Sequence, residues 1–201
     1  MTEIKVLKED IDISGYHLVE GLPGVGLVAK ISSDYMIDQL GMETYAEVFD
    51  SSLSKVVVFE RDDPELKSAM RIMVSEEHRI AVLKSDAPIS AEDEDLVNSL
   101  IEWIDEKNLK PIFQVGLPMD VEEGDNYMFY IETGEFLNEA KEMLNRPPVA
   151  GGIGGPTGAL LDRAVEKDLD SLTLVVESDP NFPDPAAASV LIDEGDRKSV
   201  V

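Results

Sequence analysis

The stretch GLPGVGLVAK, Gly21 to Lys30, decides how the fold is read. It follows Tyr16 to Glu20, a short run that reads as a strand, and it opens a segment with helical spacing. Within it, Gly24-Val25-Gly26-Leu27-Val28-Ala29 fits G-x-G-x-x-A, the turn that presents a dinucleotide pyrophosphate to a helix N-terminus. Such a site also wants an acidic residue about 20 positions on, at the end of the next strand. Glu47 or Asp50 could supply it. Against this, Pro23 stiffens the turn, and the segments that follow do not repeat a β-α-β pattern. Two readings stand. Gly24 and Gly26 bind an anion or nucleotide, or they make a tight strand-to-helix connection in which glycine supplies φ > 0 and close packing.

Outward from this turn the chain alternates. Leu27, Val28, Ile31, Tyr35 and Leu40 recur at helical spacing, with Gly41 as the stop. Met36 and Ile37 widen the apolar face, which predicts a helix covered on two sides. Thr44 to Phe49 and Lys55 to Glu60 read as strands, and Arg61-Asp62-Asp63-Pro64 as a turn. Met70 to Ser75 and Ile80 to Lys84 predict a hairpin closed by Glu76-Glu77-His78. Ser90 is the expected cap of the next helix, with Asp93 at the capping-box position and Leu96, Val97, Leu100, Ile101 and Ile104 on one face. Pro111 to Leu117 reads as a buried strand and Tyr127 to Ile131 as a short one. Phe136, Leu137, Ala140, Met143 and Leu144 predict a helix that stops before Pro147-Pro148. A second glycine-rich turn leads into a helix carrying Leu160, Leu161, Ala164 and Val165. Ser171 to Val176 is a strand, and Asp184 with Pro185 starts a last helix. The expected class is α/β, a mixed central sheet flanked by helices with a central hairpin region. The expected layout is one domain over residues 1–195 and a polar tail over 196–201.

Composition narrows the function classes. Among 201 residues, 42 Asp and Glu face 17 Lys and Arg, a formal net charge of −25. Nucleic-acid binding needs cations to replace condensed counterions, so this balance argues against it. An anionic membrane surface is disfavoured likewise, and the longest apolar runs are too short to span a bilayer. The acids are spread along the chain. That fits a solvated surface suited to high salt, or else a patch that steers a basic partner. There is no cysteine, which excludes disulfides and thiolate chemistry, and the N-terminus lacks a secretory layout. A cytoplasmic protein is expected.

Candidate chemistry is sparse. The second turn, Gly151-Gly152-Ile153-Gly154-Gly155-Pro156-Thr157-Gly158, offers backbone donors ahead of a helix. Gly154, Gly155, Thr157 and Gly158 are its candidate ligand-binding residues, beside Gly24 and Gly26 of the first turn. It is not a P-loop, because no Lys-Ser or Lys-Thr follows, and Pro156 removes one N–H. His17 reads as a core or edge residue and His78 as a solvent-facing one. Glu92-Asp93-Glu94-Asp95 reads as an acidic helix start. Glu177-Ser178-Asp179 follows the last strand, near where open α/β sheets place their sites. Of the cations, Lys30 lies near the first glycine turn and Arg163 near the second. No catalytic triad, metal site or cofactor is expected.

Taken together, these segments resemble the archaeal branch of the proteasome assembly chaperone 2 family. Gly21 to Val28 and Tyr35 to Met42 carry the likeness near the start, and Pro111 to Leu117 matches the central strand in position. Gly152 to Leu161 resembles the family's glycine-proline-glycine turn entering a helix, and Asp184 to Ala188 its final helix start. The resemblance implies a phosphorylase-like α/β fold and, with the acidity, a haloarchaeal source. It also implies a non-catalytic homo-oligomer that binds protein partners such as proteasome α subunits to assist assembly. Some archaeal relatives dock through a hydrophobic–Tyr–any tail; here Val200 stands where Tyr would be. The alternative is a binding protein or enzyme for a nucleoside, nucleotide or phosphate, using the two glycine turns.

Overall fold

A computed structural model describes residues 1–60, 63–90, 93–119, 128–134 and 151–197. In chain order the elements are β1 (Glu3–Val6), β2 (His17–Gly21), α1 (Val28–Gln39), β3 (Glu43–Phe49), β4 (Val57–Glu60), β5 (Asp63–Ser68), β6 (Met70–Ser75) and β7 (Ile80–Ser85). They continue with α2 (Glu94–Glu106), β8 (Lys110–Pro118), β9 (Met128–Thr133), α3 (Gly155–Glu166), β10 (Ser171–Ser178) and α4 (Pro185–Arg197).

Eight strands form one sheet in the order β1-β3-β6-β7-β2-β8-β10-β9. The four inner strands β7, β2, β8 and β10 are mutually parallel. Antiparallel strands flank them on both sides, through β6 and β3 to β1 on one and through β9 on the other. The sheet is therefore mixed, as the sequence predicts, and the β6–β7 hairpin is built into it.

Strand alternation sorts the core into two layers. Leu18, Ile72, Leu83 and Phe113 face α2 and α3, where Leu96, Leu100, Ile101, Ile104 and Leu160 cover them. On the other face, Ile112, Leu172 and Val176 meet Val28 of α1 and Ala187, Ala188 and Leu191 of α4. Val19, Met73 and Val82 meet Met36, Ile37 and Leu40 at the far end of α1. So α1 is covered on two sides, by the sheet and by α4. Tyr35 is the exception on its expected face, half exposed.

Two expectations change. Residues Asp63 and Pro64 begin a strand and do not lie in a turn: β5 pairs with β4 as a separate two-stranded arm. Helix α2 starts at Glu94 and is capped by Asp93, whose carboxylate accepts the Leu96 N–H at 3.2 Å; Ser90 lies ahead of the helix. At α4 the expected cap is in place, with Asp184 accepting the Ala187 N–H at 2.9 Å. Arg61, Asp62, Glu92, Tyr127, the Phe136–Leu144 helix, Pro147, Pro148 and Val200 lie outside the described residues. Among the described residues, no helix is long and apolar enough to cross a membrane.

Candidate functional site

Helices α1, α3 and α4 all begin beyond the carboxyl ends of the parallel strands, so three helix starts gather at one end of the sheet. Open α/β sheets place their ligands there. The first glycine turn leaves β2 and crosses to α1. The second runs into the first turn of α3. Gly24 of the first and Gly151 to Gly158 of the second line a single cleft of about 680 Å³, with Gln114 to Pro118 of β8 beneath.

The candidate glycines divide by cause. Gly26 has φ of +60°, and a Cβ there would run into the Ser178 hydroxyl at the end of β10. Its carbonyl accepts the Asp184 N–H at 2.8 Å. Gly26 therefore joins the turn to α4 and is not in the cleft lining. Gly158 is needed because a Cβ would meet the Ile153 carbonyl, and Gly116 because it would meet that of Val25. Gly155 has φ of +71°. Gly24 and Gly154 adopt negative φ, and no described atom lies within 4 Å of a Cβ at either. The same space surrounds Gly151 and Gly152.

Under the cleft lies a residue with no motif to mark it. Glu20, the penultimate residue of β2, is 2% exposed. Its Oε1 accepts the Leu22 N–H at 3.0 Å and the Thr157 hydroxyl at 3.1 Å; its Oε2 accepts the Gln114 N–H at 3.3 Å. One carboxyl group thus ties β2, β8 and the second glycine turn together. Burial pushes its pKa up to about 7, and the three hydrogen bonds hold it from rising further. Gln114 in turn accepts from the Ser32 hydroxyl of α1.

The remaining candidates lie elsewhere. Glu47 sits on β3, separated from β2 by β6 and β7, and accepts the Ser68 N–H at 2.8 Å. Asp50 accepts the Thr2 hydroxyl at 2.7 Å. Neither stands where a dinucleotide ribose would need an acid. Lys30 turns away from the cleft into an ion cluster with Asp34 (2.8 Å) and Asp86 (2.9 Å), shared by Arg71 and Lys84. Arg163 pairs with Glu166. Among the described residues, the cleft lining contains no Lys or Arg, and Asp162 is its one charged side chain. His17 is half-buried in β2, with its pKa lowered by burial and then by the charges of Lys110 and Arg79. His78 is exposed in the β6–β7 turn and contacts the Ser75 hydroxyl at 2.9 Å. Among the described residues, no three His, Asp or Glu side chains group as metal ligands.

The family comparison agrees with the fold. The PAC2 family model matches residues 18–197, and the chain belongs to the PAC2 family. The crystal structure of PbaA from Pyrococcus furiosus, an archaeal homologue of proteasome-assembly chaperone, matches with a TM-score of 0.84 at 20% identity, over 98% of this chain and 80% of that one. PbaB from the same organism, an archaeal proteasome activator, matches with a TM-score of 0.79 at 22% identity, over 100% and 90%. A PAC2 family protein from Streptomyces avermitilis matches with a TM-score of 0.69 at 14% identity, over 92% and 86%. At these identities the likeness establishes the fold. No curated protein matches the sequence.

Proposed function

We propose that this protein is a non-catalytic, homo-oligomeric binding protein that engages protein partners, proteasome α subunits among them, to assist their assembly. The observation that carries this reading is the β4–β5 arm. Val57, Phe59 and Leu66 on it are 63%, 78% and 68% exposed. A two-stranded hairpin is marginal in water without further packing. This one is anchored at its base, where the Ser68 hydroxyl donates to the Val48 carbonyl at 2.7 Å. These apolar side chains stay mostly exposed, in a protein of strongly negative net charge. Exposed apolar groups gathered on one projection suit a protein interface. Family membership supports the choice of partner.

The test is light scattering in high salt together with co-purification on proteasome α subunits. The wild type is expected to be oligomeric and to retain the α subunits. A Phe59→Ser/Leu66→Ser variant is expected to melt like the wild type and to lose one or both associations. A monomeric wild type that retains no α subunit would overturn the proposal.

A second reading is favoured by one specific observation, the convergence of the two glycine turns on one cleft. In this reading Gly24, Gly154, Gly155, Thr157 and Gly158 surround a small-molecule ligand, and the protein binds or processes it.

A further inference from the structure

The β4–β5 arm carries an anchor, a groove and an ordered run of charge. The anchor is Phe59, the most exposed apolar side chain of the arm. The groove, of about 530 Å³, runs between the arm and the β1–β3 edge of the main sheet. Val57 and Leu66 line it from the arm, and Val48 and Phe49 from β3. Val57 pairs with Ser68, so strand alternation brings Leu66 to the side of Val57. Phe59 stands two residues further towards the free end of the arm, beyond the groove's lining. An aromatic side chain at the end of a projection suits insertion into another surface, because it buries a large area at little cost in side-chain freedom.

Charge says which surface. At the free end of the arm, residues 60–65 read ERDDPE, four acids against one arginine. At its root, Lys55 and Lys67 line the groove. The acids that share this lining are Glu3, Glu47 and Asp50. Glu47 already accepts the Ser68 N–H at 2.8 Å, and Asp50 the Thr2 hydroxyl at 2.7 Å. Two lysines against three acids is far closer to balance than 17 cations against 42 acids over the whole chain. Two copies of so acidic a chain repel each other, and least where the balance is closest. Two arms laid side by side in the same direction would set acidic end against acidic end. Laid antiparallel, each acidic end meets the lysines at the root of the other.

We propose that the arm docks on a second copy of this chain, the two arms running antiparallel so that Phe59 of each copy seats in the groove of the other. Anchor and groove neighbour one another on a single arm, so one two-fold contact satisfies both and closes at two copies. This rests on the homo-oligomer reading above and names its contact.

The chain has no cysteine, so introduced ones report a single place. Ser54→Cys marks the root of the arm and Glu65→Cys its outer part; both positions are exposed and neither is the anchor. The two full-length variants are mixed in high salt with a short bismaleimide, and sedimentation velocity follows the unlabelled wild type. The mixture should give far more covalent dimer than either variant alone. Adding Phe59→Ser to both should abolish it, with the melt unchanged, and should weaken self-association at least about 30-fold. A wild type that is oligomeric, with cross-linking absent or indifferent to Phe59→Ser, would overturn the arm pairing and leave the homo-oligomer reading standing through another surface. As much covalent dimer from Glu65→Cys alone as from the mixture would overturn the antiparallel order. A monomeric wild type would overturn the pairing and the homo-oligomer reading together, and retention of α subunits would then be judged separately.

Discussion

Gly24 and Gly26 sit two residues apart in the same fingerprint, yet they answer to different forces. Gly26 holds a left-handed conformation under Ser178, whereas a Cβ at Gly24 would meet no described atom within 4 Å. Gly26→Ala should therefore cost about 2–4 kcal/mol in a urea melt, from strain and overpacking together. Gly24→Ala should stay within about 0.5 kcal/mol. Equal losses at the two positions would show that the turn, and not its contact with β10, sets the requirement. The spacing of these glycines was legible in the sequence. Their division of labour was not, because Ser178 and Asp184 come from the far end of the chain. Glu20 was less legible still: among 42 acids, nothing local distinguishes the one that Leu22, Gln114 and Thr157 enclose. Its pKa of about 7, against 4.5 when solvated, fixes the sign of a pH effect. The fold holds this proton more tightly than the unfolded chain does. The stabilisation is complete below about pH 4.5 and is lost as pH rises towards 7. The stability difference between wild type and Glu20→Gln should accordingly shift against the wild type by about 3 kcal/mol across that window. A difference that stays constant from pH 4.5 to 7 would mean that Glu20 titrates as a solvated acid.

At the scale of elements, burial separates what sequence could reach from what it could not. The α2 face, the β6–β7 hairpin and the α4 cap were all readable, since each is a periodic apolar pattern or a local side-chain bond. Strand β5 was not. Asp63-Pro64-Glu65 has turn composition, and among the described residues the strand pairs only with β4, outside the main sheet, so no alternation of buried and exposed residues is imposed on it. At the start of α2 the cap lies three residues past the expected Ser90, at Asp93, because the Asp93 carboxylate reaches the Leu96 N–H. Asp93→Ala should cost about 1 kcal/mol, and Ser90→Ala should leave the helix start intact. Thermal melts of the two variants distinguish them, and a larger loss at Ser90 would reassign the cap. The ion cluster joining α1 to β6 and β7 is a tertiary feature that no spacing announces. In it, burial by itself would raise the Asp86 pKa. The Lys30 hydrogen bond, then the Lys84 and Lys30 charges and the Arg71 hydrogen bond, outweigh that and hold it below the usual carboxylate range. Its stabilisation is present above the solvated Asp value and lost as pH falls through the lowered one. Asp86→Asn should destabilise by about 1–3 kcal/mol at neutral pH, less than for a wholly buried pair, and the loss should vanish in acid. A variant that melts with the wild type at neutral pH would place the cluster among ion pairs without net worth.

Over the whole molecule, two electrostatic terms oppose each other, and salt tells them apart. The excess of 25 negative charges repels itself across a chain of 201 residues. Against this stand attractions such as the Lys30–Asp34–Asp86–Arg71–Lys84 cluster. These attractions are partly buried and so are screened less than the exposed repulsions. Raising salt from about 0.1 M to about 1 M shortens the screening length from about 10 Å to about 3 Å, which suppresses repulsion between surface acids while largely sparing the cluster. Salt should therefore stabilise the fold, and dilution should unfold it. Because eight strands, from β1 at one edge to β9 at the other, share one continuous sheet whose two faces are both packed, the loss is expected as a single cooperative transition and not as the melting of one edge. Circular dichroism and tryptophan fluorescence at Trp103, which lies in the α2 layer, should then give the same midpoint at every salt concentration, with the midpoint rising with salt. Midpoints that diverge would divide the chain into separately folding parts. A common midpoint that ignores salt would leave the acidic surface without a role in tolerating a saline medium, and would point instead to a local acidic patch held for a basic partner.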